Sequence, residues 1–318
     1  MKITLDEAVE LIRSMEDVLL LTHQSPDGDT LGSATALCRA LLALGKRARV
    51  ACSDEIPEKY DYLFRGLPRE DFEPKTVVAV DIADPQLLGK KLSVYAGRVK
   101  LCIDHHPSNT LYAEHTLLNG LASATAELIY SIVKELGVEI TADMADGIYT
   151  GIATDTGCFK FTNTTPWTHT VAAEMMECGA DYGEINRLMF DTVTRERLAI
   201  ERMALDTLEL HFNGRCAILY ITRSMCESSG AADCDLEGIT SLPRKIRGVE
   251  IGITVREKEP GKYKISVRTR ENIDASLFCG LFGGGGHARA AGFQASGNYE
   301  ELHARLLHEA EKALEGVC

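Results

Sequence analysis

The chain has 318 residues, more than one ordinary domain holds and about right for two. At 45% hydrophobic and 25% charged, with 27 Gly and 9 Pro, it falls outside the collagen-like, mucin-like and disordered classes. Its net charge of -13 argues against tight, non-specific binding of long duplex DNA, whose affinity comes from many basic phosphate contacts, but leaves room for a small anion held through metal ions.

The first half alternates short apolar stretches with longer helical ones, which predicts a parallel sheet with crossover helices. Residues 18–22 read as a compact apolar strand, and residues 32–44, rich in Ala and Leu at helical spacing, as a helix. Strands are predicted over 47–52, 76–80 and 98–103, and helices over 123–136 and 142–154. Ser123 and Glu127 have the spacing of a capping box. The charged, helix-favouring stretch 184–209 predicts a connection between two lobes. Beyond it the pattern becomes that of a smaller α+β unit, with strands over 215–221, 249–255 and 263–267 and a closing amphipathic helix over 300–314. The expected division is 1–185, an α/β domain with a doubly wound, mainly parallel sheet; 186–209, a helical linker; and 210–318, a smaller α+β domain. Residues 241–270 carry nine Lys/Arg against three Glu, a local positive surplus that offers anions a place to go.

No apolar run reaches the roughly 18 residues needed to span a bilayer, and residues 1–10 have neither the basic start nor the apolar stretch of a signal peptide. A cytoplasmic protein with no membrane partner is expected. The ten cysteines are scattered without a CxxC pair, which predicts reduced, mostly buried thiols and argues against zinc held by Cys.

The chemistry is concentrated where apolar segments stop. His23-Gln24-Ser25-Pro26-Asp27-Gly28-Asp29 places one imidazole and two carboxylates after a strand, in a turn that could aim all three at one point. Read alone, it is more simply a polar strand-to-helix turn with Asp29 as a helix N-cap. Three more clusters repeat the pattern: Asp81 with Asp84, then Asp104-His105-His106, then Asp155 before Gly157. An adjacent His pair after an Asp is hard to explain as packing, because buried imidazoles need several hydrogen-bond partners. Mixed His and Asp donors without Cys suit Mn²⁺ or a comparably hard divalent ion, and a bridging carboxylate can hold two. That combination is the chemistry of phosphoester hydrolysis.

In this order and spacing the four clusters resemble motifs I to IV of the DHH phosphoesterase superfamily, named for the Asp-His-His seen here as Asp104-His105-His106. The run Phe282-Gly283-Gly284-Gly285-Gly286-His287-Ala288-Arg289-Ala290-Ala291-Gly292 resembles the signature of its DHHA1 C-terminal domain. The likeness covers essentially the whole chain and is strongest to the bifunctional oligoribonuclease and 3′-phosphoadenosine 5′-phosphate (pAp) phosphatase group, the nano-RNases. It implies a site in the cleft between lobes, with two Mn²⁺ or other divalent ions. His23 and Asp27 would bind the first metal and Asp29 the second, Asp81 would bridge, and His105 and Asp155 would complete the second. His106 would contact the scissile phosphate, with Asp81 and Asp104 as its catalytic companions, and Asp84 and Asp104 would orient ligands as hydrogen-bond partners. Arg268, in Ser266-Val267-Arg268-Thr269, matches the arginine of the family's Ser-Leu-Arg-Ser segment. Arg268, Gly284, Gly285, Gly286, His287 and Arg289 would grip the substrate end away from the scissile bond.

The implied substrates are short 5′-phosphorylated RNAs of two to about five nucleotides, and pAp; a homodimer stays open. A cyclic-dinucleotide phosphodiesterase of the same superfamily would share every metal ligand. A non-catalytic nucleotide-binding regulatory protein is the rival from another class, and no expected ligand is missing to signal it. A family II pyrophosphatase lacks the glycine run, and a RecJ-like exonuclease is usually longer. Trp167 reads as a core residue, and His115, His169, His211, His303 and His308 as structural or surface residues, since they lack acidic neighbours in ligand spacing.

Overall fold

Residues 1–236, 238–270 and 272–316 are described by a computed structural model of the chain. Strands β1 (Val18–Leu21), β2 (Ala48–Ala51), β3 (Thr76–Val80), β4 (Val99–Asp104) and β5 (His115–Leu118) form one sheet in the order β2-β1-β3-β4-β5, and every pairing is parallel. The central strands are nearly continuous runs of Val, Leu, Ile and Ala because both faces of the sheet are covered. Leu20, Val78, Val80, Leu101 and Ile103 pack among the helices Leu5–Ser14, Gly28–Ala43, Thr125–Glu135 and Ala142–Asp155. Their alternate neighbours Leu19, Leu21, Val77, Ala79 and Cys102 meet Ile82, Leu88 and Leu92 on the opposite face. Chain order reverses between β1 and β3, the arrangement of a doubly wound sheet.

The chain divides into two compact units between Thr192 and Val193. In the second, β6 (Glu209–His211), β7 (Cys216–Ile221), β8 (Ile251–Glu259), β9 (Lys262–Thr269), β10 (Gly285–His287) and β11 (Ala290–Ser296) form a mixed sheet ordered β10-β11-β9-β8-β7-β6. Only β7 and β8 run parallel. The helix Tyr299–Glu315 buries Leu306, Ala310 and Leu314 with Ile218, Ile253 and Ile265. Within 186–209, where a linker is expected from the sequence, the helix Arg195–Leu205 buries Ile200 and Ala204 with Leu219 and Ile221, so packing places that helix in the second unit.

Among the described residues no helix is long and apolar enough to cross a membrane. Eight cysteines are free thiols; Cys38, Cys102, Cys216 and Cys279 are buried, while Cys52, Cys158, Cys178 and Cys226 are only half-buried. Cys318 and the side chain of Cys234 lie outside the described residues.

Candidate active site

The clusters stand at the carboxyl ends of β1, β3 and β4, around the reversal of strand order where open parallel sheets bind ligands. His23 Nδ1 lies 2.8 Å from the Gln24 carbonyl, which can only accept, so Nδ1 carries a proton and Nε2 is the atom turned to the carboxylates. Nε2 is 3.5 Å from Asp27 Oδ1 and 3.9 Å from Asp81 Oδ2. Asp27 is the N-cap of the helix Gly28–Ala43, its Oδ1 accepting from the Asp29 and Thr30 amides at 3.1 Å each. The helix therefore starts four residues before the predicted 32, and Asp27, not Asp29, caps it.

Asp29 has another task. Its Oδ2 accepts from the Thr125 amide at 2.6 Å, and its Oδ1 from the Ala126 amide at 2.9 Å and the Ser33 hydroxyl at 3.0 Å. The N-cap of the helix Thr125–Glu135 is Ala124, which has no side-chain acceptor, so a carboxylate from a distant segment caps this helix. Only half of the expected capping box forms: the Glu127 carboxylate accepts from the Ser123 amide at 3.4 Å, but Ser123 Oγ donates to Glu127 Oε1 at 2.6 Å instead of accepting from the backbone.

Small residues bring these parts together. A Cβ on Gly147 would sit 2.7 Å from the Gly32 carbonyl oxygen, and one on Gly151 would sit 2.6 Å from Ala126 Cβ and 2.7 Å from Asp29 Oδ1. The helices Gly28–Ala43 and Ala142–Asp155 thus approach backbone to backbone, and Asp155, one turn beyond Gly151, ends beside Asp29 and His105. Nothing in the spacing of these glycines marks them as partners.

Asp81 turns the chain at the end of β3 in the left-handed region, φ 62°. Its amide donates to Ile103 O at 2.8 Å and its Oδ1 accepts from Thr125 Oγ1 at 2.7 Å. Oδ2 faces His23, whereas Oδ1 lies 3.8 Å from His105 Nε2 and 3.4 Å from His106 Nδ1. One carboxylate therefore addresses both halves of the cluster. His105 Nδ1 lies 3.1 Å from the Ala122 carbonyl, to which it donates, and turns its Nε2 to Asp155 Oδ2 at 3.3 Å.

Donor atoms within 4.8 Å of one another form three overlapping sets: His23, Asp27 and Asp81; Asp29, His105 and Asp155; and Asp81, His105 and His106. Two observations fit divalent cations there. His105 Nε2 is buried without a hydrogen-bond partner. Asp27, Asp29, Asp81 and Asp155 crowd together, and among the described residues none forms an ion pair with Lys or Arg. Burial, then repulsion from Asp29 and Asp27, holds the Asp81 carboxyl well above its ordinary range and pushes Asp155 up to about 8. The oxygen-rich, His-containing donor set suits a hard or borderline ion.

His106 is held differently. Its Nδ1 donates to Asp104 Oδ1 at 2.8 Å, and Asn109 Nδ2 donates to Asp104 Oδ2 at 2.6 Å. The Asp104 bond raises the His106 pKa against the opposing effect of burial. Burial pushes the Asp104 carboxyl up, but the bonds from His106 and Asn109 outweigh it and hold Asp104 low. Nε2 of His106 stays available, on a side chain 44% exposed.

In the second unit, cross-strand register does the positioning. His287 pairs with Ala290, Ala290 with Arg268, and Arg268 with Gly252, so these residues form one row on one face of the sheet. Ala290 and Gly252 keep the row low on either side of Arg268. A Cβ on Gly252 would meet the Arg244 amide nitrogen at 2.8 Å, so Arg244 lies beside Arg268. Burial and then Arg244 depress the Arg268 pKa, the mark of two cations sharing a place. The glycine run is no flexible linker: Gly285 and Gly286 are paired in β10, and Gly286 has φ 148°. Arg289 Nη1 donates to the Arg270 and Ile273 carbonyls, both at 2.8 Å.

Comparison with known proteins matches residues 17–152 to the DHH family, N-terminal domain, and residues 213–316 to the DHHA1 domain. The Thermus thermophilus protein named bifunctional oligoribonuclease and PAP phosphatase NrnA is 33% identical, over 96% of this chain and 93% of its own. The chain belongs to the DHH–DHHA1 phosphoesterase superfamily. Among solved structures of this fold, an exopolyphosphatase-related protein from Bacteroides fragilis superposes with a TM-score of 0.83 at 23% identity, over 98% of this chain and 95% of that one. RecJ from Thermus thermophilus in complex with Mn²⁺ reaches 0.56 at 16% identity, over 97% of this chain and 54% of that one.

In this DHH–DHHA1 chain the six His and Asp residues singled out from the sequence converge, and His106 and Asp104 stand beside them. Asp84 does not join: it caps the turn Pro85–Leu88, accepting from the Gln86 amide at 2.9 Å. Trp167, expected in the core, is 48% exposed and stands edge-on to Tyr130. Ala122, Thr125 and Arg244 were not legible as site residues, because each acts on a residue well removed in sequence, whereas Ser33 and Asn109 bond to Asp29 and Asp104 four and five residues away and carried no signal beyond an ordinary polar side chain.

Proposed function

We propose that this chain hydrolyses short 5′-phosphorylated oligoribonucleotides to mononucleotides and dephosphorylates pAp to AMP, using two divalent ions, Mn²⁺ by the chemistry of the donors. The observation that carries the reading is the set of four crowded carboxylates around the orphaned His105 Nε2, an arrangement that a pair of cations would relieve. The name of the Thermus thermophilus relative supports the substrate class. His23, Asp27 and Asp81 would hold one ion, and Asp29, Asp81, His105 and Asp155 the other. Bound there, such ions activate water and neutralise phosphoryl oxygens.

The protein's own groups do the rest. Asp81 keeps both halves at a fixed separation through its Thr125 bond. Asp104 keeps the His106 proton on Nδ1 and stabilises the imidazolium, so Nε2 can donate to the phosphate or the leaving oxygen. Arg268, with Arg244 beside it, and His287 would take the remote phosphate or nucleotide, while Gly284, Gly285 and Gly286 let the substrate approach the backbone. Arg289 contributes by holding the 270–273 backbone in place.

The test is hydrolysis by metal-stripped protein resupplied with Mn²⁺, offered a 5′-phosphorylated RNA dinucleotide, pAp, cyclic di-AMP and pyrophosphate in parallel. Asp81→Asn is the control, because Asn tolerates the left-handed backbone better than Ala does. Turnover of the dinucleotide and pAp, lost in Asp81→Asn, is expected. Dominant cleavage of cyclic di-AMP would overturn the substrate assignment, and silence on all four with metal bound would overturn the enzyme.

A further inference from the structure

Away from the DHH cluster, the second unit holds another group of metal-ligating side chains. Glu209 and His211 stand two apart on β6, the edge strand of its sheet, and so project from the same side. His303 reaches them from the helix Tyr299–Glu315, one turn after Tyr299, whose ring stacks on Tyr220 at 4.2 Å and fixes the start of that helix against the sheet. His211 Nε2 and His303 Nε2 both lie 2.9 Å from the same oxygen, Glu209 Oε2. The two imidazole rings are 5.9 Å apart. The side chains are half-exposed to water, at 48% for Glu209, 27% for His211 and 21% for His303, so an ion could enter without opening the core.

We propose that Glu209, His211 and His303 form a zinc site that fastens β6 to the C-terminal helix. Two imidazoles and one carboxylate are the three protein ligands of many zinc centres, with water in the fourth position, and imidazole nitrogen favours Zn²⁺ over Mn²⁺. Tetrahedral zinc with ligands at about 2.0–2.1 Å sets neighbouring donors about 3.3 Å apart, so the two nitrogens need to move outward from Glu209 by only about 0.4 Å. The three donors are already gathered, and their gathering joins segments more than ninety residues apart, 94 between Glu209 and His303. Without an ion, a single carboxylate oxygen serves two imidazole N–H donors and leaves β6 anchored by hydrogen bonds alone. With zinc, the edge strand and the last helix become one cross-linked element, and the ion stabilises whatever holds it by mass action.

The site is independent of the proposed hydrolysis and is tested without it. Metal-stripped full-length protein is equilibrated with Zn²⁺ and the bound zinc counted for the wild type, Glu209→Gln and His303→Ala, each with and without His105→Ala in the DHH cluster. The expected result is one zinc fewer per chain in Glu209→Gln and in His303→Ala, whatever stands at 105. In protein saturated with Mn²⁺, added zinc is expected to raise the melting temperature of the wild type by a few degrees and to leave both variants unmoved. Equal zinc content in the wild type and the variants, or an equal thermal response, overturns the site. Glu209→Gln preserves an acceptor for both imidazoles, so it keeps the test valid if His303→Ala fails to fold.

Discussion

The two units store charge of opposite sign in opposite ways. In the first, Asp27, Asp29, Asp81 and Asp155 are crowded together without a Lys or Arg partner among the described residues, on a scaffold whose helices touch through glycine. In the second, Arg268 and Arg244 share one half-buried place on the sheet, beside a hairpin whose Gly285 has open space around it. The first arrangement asks for cations and the second for an anion. Under the proposed function, divalent ions would answer the first demand and substrate phosphate the second, on a chain whose net charge is -13.

The contrast between a crowded frame and an open one can be broken by a single methyl group. Gly151→Ala should displace Asp29, costing about 1–3 kcal/mol of stability by overpacking and about 100-fold in manganese-supported hydrolysis through misplacement of the cluster. Gly285→Ala, by comparison, should leave the thermal transition within about 0.5 kcal/mol of the wild type. If calorimetry ranks the two variants equally, the first unit is not the tightly set frame its distances describe.

A smaller effect separates the tasks of the two charge clusters. Arg268→Ala should raise KM for the RNA dinucleotide about tenfold, the value of a charged hydrogen bond, with kcat nearly kept. Steady-state kinetics in which kcat falls and KM holds would move Arg268 from gripping substrate to the chemical step. Arg268→Lys should recover little, because a lysine keeps the charge and loses the planar fork.

The smallest effect is read without substrate. In metal-free protein, folded Asp155 keeps its proton up to about 8 while the unfolded chain releases it near 3.8, so the folded state binds more protons across that window. Stability should therefore fall by a few degrees of melting temperature as pH rises from about 5 to 8, and saturating Mn²⁺ should remove the slope. A metal-free melting temperature that rises over this range would contradict the repulsion inferred at the cluster.

Much of this was legible in one sequence, and the reason is local. Apolar runs ending in acids and histidines mark β1, β3 and β4, and the ends of parallel strands necessarily lie on one edge. The short strands β5, β6 and β10 carry too few residues for a period to show, and the glycines of β10 read first as a loop. What stayed hidden is contact between remote segments: Gly32 against Gly147, Asp29 on the Thr125 and Ala126 amides, His211 meeting His303. The sequence reading passed over Glu209 two residues before His211, and only the fold brings His303, 94 residues on, to the same carboxylate.

The cap that Asp29 places on a helix 96 residues later also bears on how the protein is made. A ribosome that has released the chain through His105 has delivered His23, Asp27, Asp29, Asp81 and His105, yet neither the amides that seat Asp29 nor the glycine helix that carries Asp155. Any fragment ended early is left with acids and no frame to collect them. The Thr125 and Ala126 amides and the helix that carries Asp155 thus belong to the cluster as much as the strand ends do.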